Sequence, residues 1–143
     1  MTNEELTKKI FEKDRFIKLI GAEIIEVTEE KAVVRATVTE NCFNANGNAQ
    51  GGMLYTLADF TFAVLANHLH PMTVTQGGQI HYVRAVSSPF VTAEAKEMVR
   101  AGHNCVSEVI LRDAAGAIVC TCTFNGFVKD VEREKLIERF SNE

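Results

Sequence analysis

The sequence predicts an α+β domain in which one antiparallel sheet wraps around a buried central helix. Three observations carry this. Segment 51–68 is apolar nearly all round as a helix, since Met53, Leu54, Leu57, Phe60, Phe62, Val64 and Leu65 cover every direction. After Pro71, four runs rich in Val, Thr and Ile alternate with short turns, the pattern of consecutive antiparallel strands. With 143 residues, the chain is one domain, 1–143, and has no room for a second.

Each element has its own signal. Thr2 and Glu5 form a capping box ahead of Leu6 and Ile10, so a helix is predicted to about Lys13, with a second helical piece through Phe16 and Leu19 to Gly21. Residues 22–28 and 31–40 read as two strands joined by a polar turn; Ala32, Val34, Ala36 and Val38 face one way in the second. The Asn- and Gly-rich stretch 41–50 reads as a loop. Strands follow over 73–85, through Val91 to Val99, around Val109 and Leu111, and over 118–124, and are predicted to form a meander. Val131, Ile137 and Phe140 mark an amphipathic C-terminal helix. A sheet covers one side of the central helix, and a second copy of the chain is expected to cover the other.

Composition narrows the function. A net charge of −4 argues against nucleic acid as the main ligand. The 51–68 segment contains Asp59, Asn67 and His68, so a membrane span is not expected. The N-terminal stretch is polar and mixed in charge, unlike a secretory leader. Cys42, Cys105, Cys120 and Cys122 contain no C-x-x-C pair. The expectation is a cytoplasmic protein with reduced thiols, and no metal, because no HExxH or Cys/His grouping is present.

Asp59 is the first candidate for chemistry, because an apolar helix seldom keeps an unpartnered carboxylate. Gln50-Gly51-Gly52 stands directly before that helix, whose first amides have no intrahelical acceptor and suit a carbonyl oxygen. Asp59 lies eight residues past Gly51, about 12 Å along a helix. One small reacting group therefore reaches both only across an interface between two copies. Asn44 and Asn46 precede the glycines and are suited to orient a water or cap the helix; Thr75 offers a hydroxyl on the next strand. Arg84, Lys96, Arg100 and His103 fall on or beside strands read as neighbours, where they would hold a phosphate or form a solvated charged face.

The run N-A-N-G-N-A-Q-G-G-M-L-Y-T-L-A-D-F-T-F-A, from Asn44 to Ala63, resembles the signature of the PaaI-like (phenylacetic-acid-degradation type) hotdog-fold thioesterases, N-x-x-G-x-x-H-G-G followed by seven residues ending in L-A-D. Strand order on both sides is similar too, so the resemblance covers about residues 14–128. It implies acyl-CoA thioester hydrolysis by a homodimer or dimer of dimers, with interface sites, no metal, and CoA only as part of the substrate. Asp59 matches the carboxylate that activates water, Asn44 the loop amide, Gly51 the carbonyl-polarising amide with Gly52 behind it, and Thr75 the water-binding hydroxyl. The family's usual His before the glycines is Gln50 here, which donates a hydrogen bond but carries no charge. A non-catalytic acyl-CoA-binding module is the alternative. A hotdog hydratase or dehydratase ranks lower, because no His stands near Asp59 in the motif.

Overall fold

The computed structural model describes residues 1–142. The elements are α1 (Asn3–Phe11), a 3₁₀ turn (Ile17–Ile20), β1 (Ala22–Val27), β2 (Ala32–Thr37), a second 3₁₀ turn (Glu40–Cys42), α2 (Gly51–Leu69), β3 (Thr73–Tyr82), β4 (Phe90–Ala101), β5 (Asn104–Asp113), β6 (Ile118–Val128) and α3 (Arg133–Ser141). The predicted capping box is present at α1, where the Thr2 hydroxyl accepts from the Glu5 amide at 3.1 Å.

One six-stranded antiparallel sheet runs β1-β2-β4-β5-β6-β3. It curls around α2, the architecture the sequence implies. Ala32, Val34, Ala36, Val91, Ala93, Ala95, Val109, Leu111 and Phe124 point inward and are fully buried against Leu57, Phe62, Val64 and Leu65 of α2. The alanines on β2 and β4 let the helix sit close to the sheet.

Two expectations are corrected. The four last strands are not one meander: β4, β5 and β6 are, but β3 pairs with β6 at the far edge, and β4 sits beside β2. Residues 83–85, read as the end of a strand, instead leave the sheet. The connection 83–89 spans about 20 Å when extended, enough to cross three strand spacings of about 4.8 Å each. It is pinned by Ala49 N–H donating to the Val86 carbonyl at 2.9 Å and by Val83 N–H donating to Val119 at 2.9 Å. Val86 itself is buried.

The second correction concerns what covers α2. Its other flank is closed largely by the same chain: Phe11 packs edge-on against Phe60 with centroids 5.4 Å apart, and Ile17 is buried. A stripe through Gly52, Tyr55, Thr56, Asp59, Ala63 and Asn67 stays partly open. Burial of the helix therefore does not by itself demand a second copy. The unpaired edge of β3, which leaves Val74 and Tyr82 exposed, is the stronger reason to expect one.

Candidate active site

The approach to α2 is built by hydrogen bonds within the Asn-rich loop. The Asn44 side-chain oxygen accepts from the amides of Asn46 at 2.9 Å and Asn48 at 3.1 Å, and Gly47 supplies the left-handed turn between them at φ +79°. Asn44 is thus itself a turn-builder, and its amide nitrogen has no partner among the described residues. Gln50 is the N-cap: its Oε1 accepts from Met53 N–H at 3.2 Å. Among the described residues, neither Gly51 N–H nor Gly52 N–H has an acceptor. Two free donors at the positive end of a 19-residue helix can hold a developing oxyanion.

Two turns along, Asp59 is half-buried and its Oδ1 accepts from the Thr75 hydroxyl at 2.8 Å. Burial pushes the Asp59 carboxyl up from its ordinary value; the Thr75 hydrogen bond pulls it back, and the nearby Asp14 carboxylate adds to the rise. Its second oxygen takes no hydrogen bond from the described residues. Desolvation with one oxygen held and one open suits a general base.

The glycine turn and the carboxylate open into different clefts of one chain. The first, about 340 Å³, is bordered by Asn44, Asn46, Gly51, Tyr82 and Arg84. The second, about 160 Å³, is bordered by Asp14, Phe16, Ile17, Thr56, Asp59, Phe60 and Ala63. The two linings have no residue in common.

The four cations grouped in the sequence are not brought together. Arg84 lies in the 83–89 connection beside the Gly51 cleft. Lys96 is on the sheet face away from α2, 3.4 Å from Glu94. Arg100 lies at the opposite end of α2, about 28 Å from Gly51 along the helix, with a guanidinium nitrogen 2.9 Å from His70 Nδ1. His103 stacks on Phe127 with centroids 4.9 Å apart and its Nδ1 donates to the Val128 carbonyl at 2.8 Å. Arg84 parts from the others because β3 neighbours β6 and not β4.

Sequence reasoning missed three things. Tyr82 donates its phenol to the Gly51 carbonyl at 2.8 Å; only the strand order reveals that it returns to the start of α2. Asp14 reaches Asp59 because α1 folds back over the helix. At the far end, His70, Glu97 and Cys105 place their ligand-type atoms within 4.8 Å of one another. Arg100 has only protons to offer, so His70 Nδ1 is bare and Nε2–H donates to Glu97 at 2.6 Å. Both His70 ring nitrogens are thus satisfied by side chains. The four thiols are free and buried; burial pushes Cys120 up to about 11 and Cys122 up to about 12, so neither is a nucleophile.

No protein-family model matches the chain. The chain is 35% identical over 75 residues to the acyl-coenzyme A thioesterase PaaI of Escherichia coli, an alignment covering 52% of this chain and 54% of that protein. It is 29% identical over 96 residues to an Archaeoglobus fulgidus protein, covering 66% of this chain and 62% of the relative. The chain thus spans only a little over half the length of these curated relatives. In fold it is similar to the structure of the E. coli PaaI protein from the phenylacetic acid degradation operon, with a TM-score of 0.82 at 23% identity over 90% of this chain and 96% of that one. A hypothetical thioesterase from Streptococcus pneumoniae, solved with coenzyme A, aligns with a TM-score of 0.72 at 29% identity, covering 76% of this chain and 88% of the other.

Proposed function

We propose that the chain is a PaaI-like hotdog-fold protein that hydrolyses acyl-CoA thioesters to a free acid and CoA. The observation that carries the reading is Asp59, a half-buried carboxylate on an apolar helix with one oxygen bound by Thr75 and the other free. In this mechanism Asp59 removes a proton from water as the water oxygen attacks the thioester carbonyl carbon. The carbonyl oxygen becomes an oxyanion received by the free amides of Gly51 and Gly52. Collapse of the tetrahedral species breaks the C–S bond, and the Asp59 proton passes to the leaving sulfur, giving CoA thiol and the acid.

The Asp59 of one subunit acts on a carbonyl held at Gly51 of the other. Two observations support this: the separation of about 12 Å and the separate clefts within one chain. The open edge of β3 offers the surface for pairing. Arg84, beside the Gly51 cleft, is the cation placed to meet a CoA phosphate. No described helix is long and apolar enough to cross a membrane, and four reduced thiols fit the cytosol.

The test is a panel of acyl-CoAs read by thiol release, followed by subunit mixing. Alone, Asp59→Asn should be nearly inactive and Gly51→Ala should keep no more than about a tenth of wild-type activity. After co-refolding, half of the dimers are mixed and each carries one intact composite site, so about a quarter of wild-type activity should return. No return would place both groups' work within one subunit. CoA binding with no turnover by the wild type would make the protein an acyl-CoA-binding module instead.

A further inference from the structure

We propose that Tyr82 is a positioning residue for the oxyanion site: its hydroxyl fixes and polarises the Gly51–Gly52 peptide, so that the Gly52 amide serves as the second donor. This deepens the thioesterase reading and rests on it. Tyr82 ends β3 in register with Cys120 of β6, so its backbone is held by the sheet. Its hydroxyl donates to the Gly51 carbonyl at 2.8 Å. That carbonyl and the Gly52 N–H belong to one peptide plane. A hydrogen bond to the oxygen withdraws electron density from the nitrogen and makes its N–H a stronger donor, while also fixing the direction in which it points.

The surroundings fit this role. A Cβ at Gly51 would lie 3.2 Å from the Tyr82 ring, and one at Gly52 would lie 2.7 Å from Gln50 Oε1. Two side chains therefore clasp the helix start, Tyr82 over the first glycine and Gln50 over the second. A side chain at either position would have to displace its neighbour. The Gly52 N–H is left without an acceptor among the described residues. Tyr82 and Gly51 border the same cleft.

The experiment compares the wild type, Tyr82→Phe, and a protein carrying 3-fluorotyrosine at position 82, a stronger donor of the same shape. Two readouts are taken. One is the amide-proton shift and hydrogen exchange of Gly51 and Gly52 in the substrate-free protein. The other is kcat against KM with an acyl-CoA. In Tyr82→Phe the Gly52 amide proton should move upfield and, as a weaker acid, exchange more slowly, with Gly102 and Gly116 unchanged. Its kcat should fall about 5–20-fold, a fraction of the loss from deleting a whole oxyanion donor, at constant KM. Fluorotyrosine should shift the Gly52 proton downfield and keep kcat at or above wild type. Unmoved glycine amides in a folded Tyr82→Phe protein would overturn the positioning, even where kcat drops. Moved amides with unchanged kcat would overturn its catalytic use. If the wild type hydrolyses no acyl-CoA, the thioesterase reading and the catalytic use fail together, while the amide readout still decides whether Tyr82 sets the peptide.

Discussion

The two ends of α2 carry similar numbers of polar groups and treat them in opposite ways. At the C-terminal end, His70 is buried and both of its ring nitrogens are satisfied, one by Glu97 at 2.6 Å and one by Arg100 at 2.9 Å. At the N-terminal end, two backbone amides have no acceptor among the described residues, and half-way along, one Asp59 oxygen takes no hydrogen bond from them. Residue type does not separate these regions, since the far end has the His, the Glu, the Cys and the Arg that chemistry usually recruits. Satisfaction does. A closed network spends its donors and acceptors on holding α2 to β4, whereas an open one leaves them for a ligand.

The largest effect should come from Asp59→Asn. Removing a general base costs about 10²–10⁴-fold in rate, read by thiol release, while acyl-CoA binding persists. Burial makes folded Asp59 bind its proton more tightly than the unfolded chain does. That preference favours the fold below the ordinary carboxylate pKa and is lost as pH rises through the raised one. Asp59→Asn should therefore be no less stable than wild type at pH 7, measured by thermal melts across pH. Gly51→Ala comes next, because its Cβ would stand 3.2 Å from the Tyr82 ring and tilt the first turn. About a tenfold to hundredfold loss in kcat is expected, less than deletion of an oxyanion donor at the upper end.

Thr75→Ala should act on pH more than on maximal rate. Among the described residues, Thr75 and Asp14 are the groups shown to act on Asp59. Removing the Thr75 donor raises the Asp59 pKa further, so the acid limb of the kcat/KM profile should move to higher pH. Asp14→Asn should move it down. Identical limbs in all three proteins would remove Asp59 from the base role. The smallest effect on turnover belongs to the other end of the helix. His70→Ala leaves Glu97 and Arg100 without their shared partner and should cost about 1–3 kcal/mol in denaturant melts, with kcat within about twofold. A collapse of kcat at unchanged stability would break the contrast between the two ends.

The periodicity of α2, the capping box of α1, the inward row of β2 and the Asn44–Ala63 motif were all legible in the chain, because each is a local pattern of neighbours along the sequence. Asp59 was legible for the same reason, being a charge in the wrong company. Strand order was not. Whether β3 joins β4 or β6 depends on contacts far apart in sequence, and on residues 83–86 leaving the sheet to bury Val86. Once that order is set, Arg84 parts from Lys96, Arg100 and His103, and Tyr82 arrives at Gly51. Local composition specifies which groups a chain has; only the tertiary structure decides which are left unsatisfied, because satisfaction depends on partners the sequence places tens of residues away.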